Sequence, residues 1–202
     1  MTRKNHTKRP LLIGLTGSIG MGKSAVAAMF EAEGVPVYDA DAEVHKLQGP
    51  GGALVDAIEA RFPGTTNDQG VNRAILGQRV LANPQELKAL EDIIHPVLAA
   101  QRAAFFKAHH KADMLVFDIP LLFEKGGAAD VDTIVVVSAP AAVQRARVLA
   151  RPGMTEEKFA HILGLQLPDA EKRARADHVI DTGVPLAETR AAVKRLIATL
   201  RR

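Results

Sequence analysis

The chain has 202 residues, 47% hydrophobic and 24% charged, with a net charge of +3. That composition excludes a disordered chain and suits one α/β domain carrying insertions. The absence of cysteine excludes disulfides and thiolate metal sites; with no apolar run long enough for a signal-peptide core or a membrane span, a soluble cytoplasmic protein is expected.

Residues 1–10 read as a basic, polar tail. With one tyrosine and no tryptophan in the chain, residues 2–9 suit a solvated segment better than a nucleic-acid-binding arm. Next comes an apolar run of strand length at residues 11–16, expected to be buried on both faces of a sheet. Gly17, Ser18, Ile19, Gly20, Met21, Gly22, Lys23 and Ser24 then fit the pattern G-x-x-x-x-G-K-[S/T] without a mismatch. Such glycines let successive N–H groups surround a polyphosphate, the lysine reaches the β- and γ-phosphates, and the serine hydroxyl serves Mg²⁺. Ala25, Val26, Met29 and Phe30 recur at helical spacing, and Gly34 is placed to end that helix. Strand, glycine loop and helix therefore predict a bound nucleoside triphosphate.

A competing pattern overlaps this one. Gly20, Gly22 and Ala25 satisfy a relaxed dinucleotide fingerprint, with Asp39 or Asp41 about where a ribose-binding carboxylate would follow. Lys23 and Ser24 have no role in such a loop, and Gly20 lies too far beyond the strand.

Further short apolar segments at residues 35–38, 114–117, 133–137 and 178–180 alternate with helical patterns, predicting a five-stranded parallel sheet with helices on both faces. The expected topology places the second strand beside the first. Residues 42–112 hold apparent helices at 54–61, 72–81, 84–94 and 97–109, which predicts a helical substrate-binding insertion. Residues 151–176, rich in charge and opening with Pro152-Gly153, are placed to act as a small lid. The nucleotide-binding core then comprises residues 11–41, 113–150 and 177–202.

Several side chains suit phosphoryl transfer, which needs positioning, a metal, cations and a group that orients the attacking oxygen. Asp41, just past the second strand, could accept the proton of an acceptor hydroxyl, or could simply cap a helix over 43–47. Asp118 ends an apolar strand and suits a carboxylate that holds Mg²⁺, although turns also favour aspartate there. Arg147 and Arg151 are four residues apart on one helix face and could bring two guanidinium groups to the phosphates; a solvated surface is the plainer account. The seven histidines lack ligand spacing for a metal. His95-Pro96 reads as a helix end and Phe105-Phe106 as core.

Taken in order, residues 14–24, Asp39-Ala40-Asp41, His95-Pro96, Pro120-Leu121-Leu122-Phe123-Glu124, the Arg147 and Arg151 pair, Gln166, Lys172 and residues 176–181 resemble the dephospho-coenzyme A kinases over nearly the whole chain. The resemblance implies a three-layer P-loop kinase fold and transfer of the γ-phosphate of ATP to the ribose 3′-hydroxyl of dephospho-coenzyme A. It implies Asp41, Lys23, Arg147 and Arg151 as catalytic groups, residues 17–25 as the ATP loop, and Ser24 with Asp118 at Mg²⁺. On the substrate side it implies Thr16, Asp41, His95, Pro120, Leu121, Gln166 and Lys172, with no role for nucleic acid or membrane. The chain departs from the family's usual pattern at Ser18, Met21 and Ala25, and at Thr182, where asparagine is frequent. Another small-molecule or nucleoside monophosphate kinase is the nearer alternative. A GTP switch lacks its Asn-Lys-x-Asp motif, the closest match being residues 110–113.

Overall fold

The computed structural model describes residues 9–124 and 126–201, so most of the basic 1–10 segment lies outside the described residues. The strands are β1 (Leu11–Thr16), β2 (Val37–Asp39), β3 (Thr66–Asn67), β4 (Gly70–Val71), β5 (Met114–Asp118), β6 (Thr133–Ser138) and β7 (His178–Asp181). The helices are α1 (Lys23–Ala32), α2 (Ala40–Gln48), α3 (Val55–Arg61), α4 (Arg73–Val80), α5 (Pro84–Ala108), α6 (Ala141–Leu149), α7 (Glu156–Gly164), α8 (Asp169–Ala174) and α9 (Leu186–Leu200). Two compact units result: one from the described residues up to Tyr38 and from His109 onward, the other from Asp39–Ala108.

In the first unit the parallel sheet has the order β2-β5-β1-β6-β7. The second strand therefore does not lie beside the first, because β5 pairs with β1 in register from Leu11 opposite Met114 to Leu15 opposite Asp118. All five residues of β5 are buried and the first four are apolar, and such a strand belongs in the middle of a sheet, which leaves the three-residue β2 at the edge. Every residue of β6 is buried too. Its alternation divides two layers: Val135 and Val137 join Ile13, Leu15, Val26, Phe30, Val193 and Ile197, while Ile134 and Val136 pack with Leu122. Helix α1 ends as its sequence indicates, with Gly34 at φ +77° and its N–H bonded to the Glu31 carbonyl.

Residues 151–176 carry α7 and α8, joined to the sheet by Asp177, whose carboxylate accepts the N–H of Ile134 at 2.8 Å. Thr155 caps α7 by accepting from the Lys158 amide.

The second unit has its own core of Leu47, Leu54, Ile58, Phe62, Leu76, Val80 and Leu90. The two helices expected at 84–94 and 97–109 are one, and His95-Pro96 does not end it. A proline there removes one ladder bond and costs roughly 3 kcal/mol, but Ile93, Ile94, Val97 and Leu98 on both sides of it pack on the same core and hold the helix together. Phe105 and Phe106 are half-buried rather than core, with the Arg102 guanidinium 5.8 Å from the Phe106 ring centre. The β3–β4 hairpin has two-residue strands, too short to show alternation in sequence. Among the described residues no helix is long and apolar enough to cross a membrane.

Candidate active site

The loop between β1 and α1 turns where side chains cannot go. A Cβ on Gly17 would meet Val137 at 2.4 Å, and Gly20 and Gly22 adopt φ of +76° and +85°. Met21 is buried, and its sulfur accepts the N–H of Ala139 at 3.1 Å, which anchors the loop to the end of β6. Ser18 is buried as well, its carbonyl accepting the Met21 amide. These two departures from the family pattern thus fill space against the protein itself.

Two glutamines hold the loop's tip from opposite sides. The Ile19 N–H donates to Gln166 Oε1 at 3.0 Å, and the Ile19 carbonyl accepts from Gln144 Nε2 at 2.8 Å. Gln144 escaped the sequence reading. Its signal was its spacing, since it lies one turn before the buried Val148 and is itself only 4% exposed, an inward polar residue on an amphipathic helix.

Gly22 is the N-cap of α1 and supplies no side-chain cap, and the first turn holds no acidic residue. Among the described residues the amides of Gly20, Gly22, Lys23 and Ser24 donate to no protein group. Unmet donors at a helix start, beside a lysine, form a fitting set for a polyphosphate. Ser24 and Ala25 are exposed at this same turn. Lys23 is ion-paired with Asp118, which is 1% exposed. The parallel register puts Asp118 level with Leu15, close below the loop.

Around this cradle, the Thr16 hydroxyl donates to the Pro120 carbonyl at 3.2 Å, tying the end of β1 to the segment after β5. Leu121 is half-buried beside it in sequence. The Arg147 guanidinium bonds to Thr182, whose hydroxyl in turn donates to the Met21 carbonyl at 2.7 Å. Arg151 is exposed just past α6, and Arg145 on that helix is spent on an ion pair with Glu156. Lys172 is completely buried, its ammonium 2.9 Å from Glu124 Oε1, which also accepts the Leu167 amide at 2.8 Å. Burial raises the Glu124 pKa, but the Lys172 ammonium and the Leu167 N–H outweigh it and hold the carboxyl below the usual glutamate range.

Asp41 and His95 belong to the second unit. The cap of α2 is Asp39, whose carboxylate accepts the Ala42 amide at 2.9 Å, so the capping alternative for Asp41 fails. Asp41 is exposed in the first helical turn, and His95 is exposed on α5. Asp39, engaged as a cap, is also a poor ribose ligand for the dinucleotide alternative. Among the described residues no group of three or more His, Asp or Glu can hold a metal ion, so a divalent cation would have to share its ligands with phosphate oxygens.

A glycine cradle at the end of one strand, with a buried carboxylate level with it on the neighbouring strand, on a parallel sheet ordered β2-β5-β1-β6-β7, defines a P-loop kinase. The comparisons with known proteins narrow this class. Residues 11–188 match the family model described as dephospho-CoA kinase, and the chain belongs to that family. A dephospho-CoA kinase of Novosphingobium aromaticivorans is 63% identical over 193 residues, covering 96% of each protein. The solved structure of TT1252 from Thermus thermophilus superposes with a TM-score of 0.81 at 33% identity, over 96% of this chain and 99% of that one. A dephospho-CoA kinase from Campylobacter jejuni shares the fold, with a TM-score of 0.64 at 22% identity over 94% and 96% of the two chains.

Proposed function

We propose that this protein transfers the γ-phosphate of ATP to the ribose 3′-hydroxyl of dephospho-coenzyme A, giving coenzyme A and ADP as the last step of coenzyme A synthesis in the cytoplasm. The observation that carries the reading is the set of unmet amides at the start of α1 beside Lys23, in a chain that belongs to the dephospho-CoA kinase family.

The chemistry assigns each side chain a task. Loop amides from Gly17 to Ala25 hold the triphosphate, and Lys23 balances charge as the bond between the γ-phosphorus and its bridging oxygen breaks. Asp41 takes the proton of the 3′-hydroxyl as its oxygen bonds to the γ-phosphorus. Ser24 and Asp118 would hold Mg²⁺, which supplies Lewis-acid neutralisation of the phosphate oxygens. Arg147 and Arg151 offset the charge on the transferred group, with residues 151–176 serving as a lid that excludes water. The family resemblance assigns Thr16, Pro120, Leu121 and His95 to the acceptor and residues 42–112 to the coenzyme arm. Gln166 and Lys172 serve the substrates through Ile19 and Glu124, the groups they touch.

The test is a panel of acceptors supplied with ATP and Mg²⁺, with products identified by mass. A gain of one phosphate by dephospho-coenzyme A supports the reading. Turnover of a nucleoside monophosphate or another small alcohol, with none of dephospho-coenzyme A, overturns it.

A further inference from the structure

Thr182 sits in the loop after β7 and is only 6% exposed. Its backbone is fixed by its own N–H, which donates to the Ser138 carbonyl at 2.8 Å. Its neighbours fix it further: the Gly183 amide donates to Asp181 Oδ1 at 2.7 Å, and a Cβ on Gly183 would meet Pro140 at 2.3 Å. The side chain thus projects from a rigid seat.

From that seat one residue serves two parts of the site. Arg147 donates Nη2 to the Thr182 carbonyl at 2.6 Å and Nη1 to the Thr182 hydroxyl at 3.2 Å. A hydroxyl has a single proton to give, and here it goes to the Met21 carbonyl at 2.7 Å, the Ser138 carbonyl being farther at 3.3 Å. The order is consistent: guanidinium to hydroxyl oxygen, hydroxyl proton to loop carbonyl.

The Met21 bond sets more than a carbonyl. In a trans peptide the C=O and the following N–H point in opposite directions, so holding the Met21 oxygen toward Thr182 turns the Gly22 amide away from it. That amide is one of the unmet donors of the phosphate cradle. Glycine at residue 22 suits this approach, since its φ is +85° and a Cβ there would crowd the Thr182 hydroxyl at 3.2 Å.

We infer that Thr182 is a positioning residue for phosphoryl transfer: its hydroxyl sets the direction of the Gly22 amide and, together with its carbonyl, the seat of the Arg147 guanidinium. The inference rests on the phosphotransfer reading above for its kinetic consequences, but its binding consequence needs only Mg²⁺ and ATP.

Thr182→Val keeps the shape and removes the hydroxyl, while Thr182→Ser keeps the hydroxyl. Calorimetry with Mg²⁺ and a non-hydrolysable ATP analogue should show about tenfold weaker binding for the valine variant and recovery to about wild-type affinity for the serine variant. With dephospho-coenzyme A as acceptor, kcat should fall about tenfold or more for valine while KM for the acceptor stays within about twofold. In an Arg147→Ala background the valine change should cost less in kcat than it does alone. Unaltered nucleotide affinity in folded Thr182→Val, shown by thermal unfolding to be native, overturns the inference, as does a serine variant no better than valine. A wild-type protein that binds the analogue but leaves dephospho-coenzyme A untouched would sink the proposed acceptor and leave the binding comparison to decide Thr182.

Discussion

The ammonium of Lys23 is ion-paired with Asp118, a carboxylate with 1% of its surface exposed at the C-terminal end of β5. Removing the cation alone leaves a buried negative charge short of compensation, which is costly. Lys23→Met should therefore destabilise the fold by about 1–3 kcal/mol as well as abolish turnover, and adding Asp118→Asn should recover most of that stability without recovering activity. Urea unfolding of the two variants measures this. A Lys23→Met protein as stable as wild type would show that the pair contributes nothing.

Asp39 and Asp41 are separated by one residue and do different work. Asp39 caps α2, so Asp39→Ala should cost about 1 kcal/mol of stability. Asp41 caps nothing, and its loss should cost only the roughly 0.3–1 kcal/mol of a first-turn carboxylate near a helix N-terminus. As the proposed base, however, Asp41→Asn should lower turnover about 100-fold or more while ATP binds nearly as before. Steady-state kinetics beside calorimetry separate the two effects, and retained turnover in Asp41→Asn would remove it from the mechanism.

Much of this arrangement is legible in the chain because glycine, charge and apolar runs act locally. Gly17, Gly20 and Gly22 stand where a Cβ meets a neighbour or φ is positive, so a pattern of residue types carries the geometry. Strands buried on both faces announce themselves as unbroken apolar runs, but their order depends on distant pairing: the run at β5 says that it is central without saying which strands flank it. Pro96 misleads for the converse reason: its local cost is overridden by packing on both sides of it. Gln144 and Thr182 act on the loop from 125 and 161 residues away in sequence, distances at which residue type says little about contact.

Ile19 is held at both backbone atoms, by Gln166 at its N–H and by Gln144 at its carbonyl. Holding the carbonyl turns the Gly20 amide away from Gln144, by the same trans-peptide geometry that acts at Gly22. Gln144→Leu should therefore weaken Mg²⁺-ATP binding about tenfold, because Gln144 is only 4% exposed and an apolar side chain in its place leaves the Ile19 carbonyl without a donor on that side, a loss of about 1–3 kcal/mol. Gln166→Leu should weaken it less, because Gln166 is itself half-exposed and water can take its place at the Ile19 N–H. Calorimetry on both variants checks the order, and equal, undiminished affinity would show that the clamp is incidental.

Lys172 and Glu124 link α8 to the loop after β5, with the lysine fully buried and the two charges 2.9 Å apart. The geometry leaves the ammonium without a well-directed hydrogen bond, so its partner is the carboxylate's charge. Because the Glu124 carboxyl is held below its ordinary value of 4.5, the folded state binds its proton less readily than the unfolded chain does. The pair's contribution is therefore present above that ordinary value and is lost as pH falls through it toward the lower folded value. Below that range a fully buried ammonium stands opposite a neutral acid, which favours unfolding. Lys172→Met replaces the cation with a similar apolar chain and leaves the carboxylate to backbone amides, those of Leu167 and of Glu124 itself. At pH 7 this variant should be less stable than wild type by about 1–3 kcal/mol. As pH drops below about 4.5 the gap should narrow and then reverse, since the variant no longer buries a charge. Urea midpoints measured across that window decide the matter. A gap that stays constant with pH would mean that the methionine variant is weakened by packing and that the ion pair carries no stability.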